Sequence, residues 1–139
     1  MIVIIRISGM VDVPQNVNHT LHHINLRRKY SAILMPETLE TAKILKAVRS
    51  FVAFGKINDE TLAKLIQLRG ERIENKGKVD ADAVIKGLDK KNLRELGLKP
   101  FFRLHPPRKG IESKKHFGVG KGVLGDNKEQ INKLLERML

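Results

Sequence analysis

The sequence contains no cysteine and no tryptophan, and aromatic residues make up only 4% of it, with Tyr30 as the single tyrosine. The absence of cysteine excludes disulfide bonds, thiolate zinc sites and cysteine nucleophiles. The scarcity of aromatic rings argues against a single-strand nucleic-acid binder that stacks bases on a row of aromatic side chains. Candidate functional groups are therefore sought among the charged side chains.

Long apolar runs are also missing. Residues 1–7 are apolar, but Arg6 interrupts them, and the run is too short for a signal peptide or a membrane span. The sequence therefore predicts a cytoplasmic protein with no membrane partner. Its 139 residues, 41% of them hydrophobic, suit one compact domain with a modest core.

Positive charge is what the sequence has in excess. Lys and Arg number 27 against 15 Asp and Glu, which gives a net charge of +12. The excess is uneven, because residues 99–121 hold seven basic side chains and one acid, Glu112. A cytoplasmic protein this basic usually binds a polyanion, so the composition favours a nucleic-acid partner.

The first 56 residues alternate between strand and helix signals. Short β-branched or apolar runs predict strands at 1–7, 32–35 and 51–54, and apolar spacings of three and four predict helices at 14–24 and 37–49. The order β-α-β-α-β predicts an α+β sandwich in which two helices cover one face of a sheet. The inner helix faces are predicted to be Val17, Leu21 and Ile24, and Leu39, Ala42, Leu45 and Val48.

Residues 57–139 are predicted to be an extension of helices and loops attached to the 1–56 core. Short helices are expected at 59–68, 80–87 and 90–96, with an exposed loop over 71–79. Asp59 is the expected cap of the first of these, and Gly70 its end. A terminal amphipathic helix is predicted from Ile131, Leu134, Leu135 and Met138, preceded by a capping box of Asp126 and Glu129.

The segment 99–125 is basic and rich in glycine and proline. Pro106 and Pro107 hold the chain extended, since each disfavours helix at the residue before it. Residues 108–125 contain five glycines and no apolar periodicity, so an irregular loop is expected there. Such a loop is predicted to be mobile in the free protein and to become ordered on RNA.

Other chemistry is conceivable for the same residues. Gly118-Val-Gly-Lys121 resembles part of a phosphate loop, but Gly122 stands where Ser or Thr is required. His19 and His23 share a helix face with no third ligand nearby, so no metal site is predicted. His105 and His116, with Lys109 or Lys115, are an acid–base pair for a ribonuclease hypothesis, but a loop gives them no rigid support.

Electrostatic binding of RNA is the favoured interpretation of the basic clusters. Cationic side chains neutralise phosphates, and backbone amides of the glycines approach the nucleic-acid backbone closely. The RNA-binding residues predicted from these clusters are Arg27, Arg28, Lys29, Arg103, His105, Arg108, Lys109, Lys114, Lys115, His116 and Lys121.

Several strings together resemble a known family, the large-subunit ribosomal proteins numbered thirty, called number seven in eukaryotes. The resemblance covers nearly the whole chain, and the two most specific strings are Phe51-Val-Ala-Phe-Gly55 and Arg103-Leu-His-Pro-Pro107. Further strings that resemble the family are Ile5-Arg-Ile-Ser-Gly9, Thr20-Leu-His-His-Ile-Asn-Leu26, Met35-Pro-Glu-Thr38, Glu60-Thr-Leu62 and the run from Leu98 to Pro107.

The subtype that the chain resembles is archaeal. Bacterial members end near the third strand, so residues 57–139 resemble the longer archaeal and eukaryotic form, and the long basic N-terminal extension of eukaryotic members is not seen. One position departs from the family, since many members have Arg-Gly near the start of the second helix where this chain has Ala42-Lys43. Lys43, Lys46 or Arg49 would replace the missing arginine.

The resemblance implies a ferredoxin-like β-α-β-α-β core and a structural role in the large (50S) ribosomal subunit. It implies contacts with large-subunit ribosomal RNA, with the 5S RNA region in archaea, and with neighbouring ribosomal proteins, and it implies neither catalysis nor a cofactor. A free-standing RNA-binding or RNA-chaperone module is the alternative, and the His105–His116 ribonuclease is the third hypothesis.

Overall fold

The computed structural model describes residues 1–9, 11, 13–74 and 79–139. The predicted β-α-β-α-β order of the first 56 residues and the α+β class are confirmed. The elements are β1 (Ile2–Arg6), α1 (Gln15–His23), β2 (Ser31–Met35), α2 (Leu39–Val48), β3 (Val52–Lys56), α3 (Asp59–Arg69), α4 (Ala81–Leu88), β4 (Phe102–Arg103), β5 (Glu112–His116), β6 (Gly122–Asp126) and α5 (Ile131–Met138), with a 3-10 turn at Lys128–Gln130.

One mixed sheet of six strands, in the order β4-β2-β1-β3-β6-β5, organises the described residues. The central strand β1 is antiparallel to both neighbours, with Val3 opposite Leu34 of β2 and Gly55 of β3. Beyond them, β4 pairs antiparallel with β2, and β6 pairs parallel with β3. The residues after 56 therefore contribute three of the six strands.

Both faces of this sheet are covered, whereas the sequence predicted one covered face. Ile4 of β1 packs with apolar residues of α1 and α2, while its neighbours Val3 and Ile5 pack with α3, α4 and α5. Because alternate residues of a strand point to opposite faces, the continuous apolar run of β1 is what a strand buried on both sides requires.

The helices differ from the predictions mainly at their ends and inner faces. The side chain of Asn58, rather than Asp59, caps α3 by accepting a 2.8 Å hydrogen bond from the Thr61 amide. The buried face of α2 is Thr41, Leu45 and Val48, and Leu39 is 84% exposed because it lies in the first turn, outside the sheet contact.

The predicted capping box before α5 is wrong. Asp126 still belongs to β6, and its carboxylate accepts a hydrogen bond from the Lys128 amide instead of the Glu129 amide. The 3-10 turn Lys128–Gln130 lies between Asp126 and α5, so the helix begins only at Ile131.

The helix predicted at 90–96 is also wrong, because the chain makes only turns there. The Leu98 amide reaches back to the Leu93 carbonyl, and Gly97 at a φ of +80° reverses the chain where a helix would continue. Of the loop predicted at 71–79, residues 75–78 lie outside the described residues.

The irregular loop predicted at 108–125 is the largest correction. This segment contains the strands β5 and β6, and Val123 and Leu124 of β6 are buried in the core with α5. The two strands run parallel across a connection of five residues, shorter than parallel neighbours usually need. Gly118 and Gly120, both with positive φ, allow the short connection to turn sharply. The pairing of β5 with β6 is irregular, since its register shifts between Glu112 and His116.

Candidate nucleic-acid interface

The basic connector between α1 and β2 carries the first predicted RNA-binding group. Arg27, Arg28 and Lys29 are all exposed, and the Lys29 ammonium lies 5.0 Å from the centre of the Tyr30 ring. The connector needs two residues with positive φ, Asn25 and Tyr30, so its backbone is sharply turned at both ends of the cluster. A turned loop of this kind presents three neighbouring cations to solvent.

The buried side chain of Arg6 holds the start of this connector in place. Arg6 is 0% exposed, and its guanidinium donates a hydrogen bond of 2.7 Å to the Leu26 carbonyl. The same group donates to the carbonyls of Ser8 and Gly9 and to Asn18 Oδ1. Burial lowers the pKa of the Arg6 guanidinium from its ordinary value. Its charge is met by carbonyl and amide oxygens, which together hold the β1–α1 and α1–β2 connections.

Four arginines meet around one concavity beside this connector. Arg27 and Arg28 line it from the connector, Arg103 from β4, and Arg94 from the turns before β4. The concavity, called here the arginine pocket, has a volume of about 350 Å³, and Ser31, Asn25, Pro100 and Phe101 complete its lining. Arg94 is not among the predicted RNA-binding residues, because it lies 66 positions after Arg28 in the sequence and joins it only in the fold.

The lining of the arginine pocket has an excess of positive charge. None of its described lining residues is acidic, and within the described part of the chain no carboxylate forms an ion pair with the four arginines. The nearest compensation is Glu71, whose pKa is lowered mainly by its hydrogen bond from Lys99 and in small part by the charge of Arg103. The Arg103 guanidinium carbon stands 5.5 Å from the centre of the Phe101 ring, a cation–π arrangement that orients it. Planar guanidinium groups suit phosphate oxygens, so an anion fits this concavity.

The segment from His105 to Gly110 is held against the end of α5. The His105 amide donates to the Met138 carbonyl, and the Arg108 amide donates to the Arg137 carbonyl. In return, the Arg137 guanidinium donates to the carbonyls of Arg108 and Gly110. The side chains of His105, Arg108 and Lys109 remain exposed on this fixed backbone.

The last basic group lies at the other edge of the sheet. Lys114, Lys115 and His116 are exposed on the edge strand β5, and Lys121 lies in the turn that follows. Lys115 pairs with Glu112 at 3.3 Å, so only part of this charge is free. Lysines on an edge strand also discourage pairing with another sheet, which is a structural explanation for Lys114 and Lys115.

The structure therefore separates residues that the sequence placed in one segment. Arg103 of β4 and Lys114 of β5 lie on opposite edges of the six-stranded sheet. Five strand spacings make that separation about 24 Å. Two basic surfaces result, one at β4 with the arginine pocket and one at β5.

The end of α2 lies next to the second surface. Lys43 and Lys46 of α2 and Arg49, the residue that follows it, are exposed. A side-chain carbon added at Gly125 of β6 would lie 3.6 Å from His116 Nδ1 and 3.9 Å from the Arg49 carbonyl oxygen, so the end of α2 and β5 meet at Gly125.

Two histidines of α1 bear on metal binding. His19 and His23 stack with ring centres 6.1 Å apart, but within the described residues no group of three or more His, Asp or Glu side chains is placed to hold a metal ion.

In the described part of the chain, no helix is long and apolar enough to cross a membrane.

Comparison with known proteins gives full-length similarity to archaeal ribosomal proteins. The large ribosomal subunit protein uL30 of Archaeoglobus fulgidus is 39% identical over an alignment that covers 99% of each chain. The protein of the same name from Desulfurococcus amylolyticus is 40% identical, with 98% of this chain and 96% of the relative covered. The one from Methanosphaera stadtmanae is 36% identical over the full length of both. No protein-family model matches the chain.

Proposed function

Because the chain belongs to the family of large ribosomal subunit protein uL30, we propose that it is a structural constituent of the large ribosomal subunit that binds and stabilises ribosomal RNA. The observation that carries this proposal is the full-length similarity to uL30 proteins. The two basic surfaces and the net charge of +12 are what such a role requires.

The mechanism is electrostatic and depends on a rigid mount. The sheet, covered on both faces, holds the connector with Arg27 and Arg28 at one edge and Lys114 at the other. Each cation that neutralises a phosphate releases condensed counterions, which favours binding. Such contacts fix the position of the protein on the RNA rather than read its sequence.

The same proposal includes the partners of the protein in the ribosome. The predicted RNA-binding residues, from Arg27 to Lys121, contact large-subunit ribosomal RNA, and the 5S RNA is a further partner. Neighbouring ribosomal proteins are further partners. The site of action is the ribosome in the cytoplasm.

The proposal assigns no catalytic activity to the protein. The ribonuclease hypothesis needs His105 and His116 to act on one phosphate. The backbone of His105 is bound to Met138 at the end of α5, whereas His116 is the last residue of β5 and lies beside Gly125 of β6. The two side chains belong to different surfaces of the fold, so each is proposed as an RNA contact.

A titration of the purified protein with a large-subunit ribosomal RNA transcript tests RNA binding. With about six phosphates neutralised, the slope of log affinity against log salt should be roughly −5. A slope near zero would contradict the electrostatic mechanism. In the same samples the RNA should stay intact, and metal-independent cleavage that disappears in His105→Ala would favour the ribonuclease. Binding of ribosomal RNA and of unrelated RNA with equal affinity would favour the free-standing RNA-chaperone alternative.

A further inference from the structure

The arginine pocket differs in shape from the other basic surface. The β5 residues Lys114 and Lys115 stand on an exposed edge strand, where they meet a partner from outside. The four arginines instead line an open concavity of about 350 Å³. All four are exposed, so a partner that enters the concavity from solvent meets several of them at once.

The lining offers two kinds of contact to a ligand, a charged one from the arginines and an apolar one from Pro100 and Phe101. The guanidinium groups of Arg27, Arg28, Arg94 and Arg103 supply planar, forked donors for phosphate oxygens. Phe101 and Pro100 add an apolar surface, and Phe101 is one of only five phenylalanines in the chain. An aromatic ring and a guanidinium plane are the two groups on which proteins stack unpaired bases.

We propose that the arginine pocket binds one nucleotide that is unstacked from its RNA helix, with the phosphate held by the arginines and the base placed against Phe101 and Arg103. The inference rests on the proposed function, since it names the RNA element that this surface takes. The proposal adds Arg94, Pro100 and Phe101 to the interface.

A regular duplex does not fit this site. In an RNA helix the bases are stacked inside, and the protein meets a row of phosphates and 2′-hydroxyl groups. Such a row is neutralised by cations on an open surface, like those of β5, and makes no use of an apolar floor inside a concavity. A bulge, a loop or a helix end exposes both a phosphate and a base, and it therefore uses both halves of the lining.

The test is chemical footprinting of a large-subunit ribosomal RNA transcript bound to the full-length protein. Dimethyl sulfate reports the Watson–Crick edge of unpaired bases, and hydroxyl radicals report the backbone. The variants are Arg94→Ala and Phe101→Leu, the second of which keeps an apolar side chain but removes the aromatic face. Lys86→Ala, exposed on α4 outside the pocket, is the matched removal of one charge, and circular dichroism checks that each variant is folded.

We expect the wild type to protect at least one unpaired base that becomes reactive again in both Arg94→Ala and Phe101→Leu but not in Lys86→Ala. Affinity in Phe101→Leu should fall by about 5- to 150-fold, which corresponds to the ~1–3 kcal/mol lost when a base is deprived of its stacking partner. If Phe101→Leu binds like the wild type, or if the protections that disappear in Arg94→Ala all lie on the backbone of paired segments, the pocket binds duplex phosphate and the inference is overturned. Failure of the wild type to bind or protect the transcript would instead contradict the proposed function itself.

Discussion

The guanidinium of Arg6 donates a 2.7 Å hydrogen bond to the carbonyl oxygen of Leu26, the residue immediately before the exposed cluster Arg27–Lys29. Both residues are 0% exposed. A cation in the core therefore sets the backbone from which three surface cations project. The two layers of positive charge have different roles, since the inner one supports the loop and the outer one faces solvent.

Replacement of Arg6 should destabilise the fold and weaken RNA binding together. Arg6→Met keeps much of the side-chain length but leaves the buried carbonyl of Leu26 without its donor. An unsatisfied buried acceptor costs about 1–3 kcal/mol, so the free energy of unfolding should fall by about 3 kcal/mol when several acceptors are affected. Urea denaturation followed by circular dichroism measures the change.

The matched control for this variant is Arg27→Met, which removes an exposed arginine that shares the same connector. Surface changes of this kind alter stability by less than about 0.5 kcal/mol, although RNA affinity should still fall. Equal stability of Arg6→Met and Arg27→Met would show that the Arg6 network does not support the fold.

The two basic surfaces should contribute independently to RNA affinity. We compare a triple variant at β4 (Arg27, Arg28 and Arg103 to Ala) with one at β5 (Lys114, Lys115 and Lys121 to Ala). Each should make the salt slope shallower by about one for every phosphate that the variant no longer neutralises. At about 24 Å apart by strand spacing, the two sets should have additive effects on the binding free energy in the six-fold variant. A strong coupling between them in filter-binding titrations would contradict two separate surfaces.

Hydrogen exchange of the free protein should separate β6 from the turn before it. The backbone of β6 pairs with β3, and Val123 and Leu124 are buried, so amides of 123–125 should exchange slowly without RNA. Residues 118–121 are exposed, and their amides should exchange faster than those of β6, then slow down when ribosomal RNA is added. Fast exchange throughout 112–126 in the free protein would support the mobile loop that the glycine content predicts.

Arg137 should position the basic turn at Arg108 without stabilising the core much. Its guanidinium donates to the carbonyls of Arg108 and Gly110 on the surface, where a net hydrogen bond is worth about 1 kcal/mol or less. Arg137→Met should therefore change the unfolding free energy by about 1 kcal/mol and accelerate exchange of the Gly110 amide. Lys133→Met on the same helix is the control, and an unchanged Gly110 amide in Arg137→Met would argue against this role.

Local patterns were enough to predict the elements of the first 56 residues. The β-branched run at the start and the apolar spacing of Val17 and Leu21 are properties of neighbouring residues, and each element formed where its pattern lies. The second covered face was missed although the unbroken apolar run Ile2–Ile5 of β1 is typical of a strand buried on both sides, because the helices that cover that face come from residues after 56.

The strands β5 and β6 were missed because their partners are far away in sequence. Glycine marks the turn at Gly118–Gly120, but β6 is also rich in glycine, and its pairing with β3 depends on residues about 70 positions earlier. Arg94 was missed for the same reason, since it joins Arg27 and Arg28 only through the tertiary fold. Long-range pairing leaves no periodic signal within a short window of sequence.

The most direct test of the central claim is whether the protein is a stable part of the large subunit. Tagged wild-type protein and the β4 triple variant are added to large subunits depleted of the native protein, and the particles are sedimented through a high-salt cushion. We expect the wild type to be retained at one copy per particle after the wash and the variant to be largely released. Release of the wild type into the supernatant at the same salt concentration, with RNA binding intact in free solution, would contradict a structural role in the subunit.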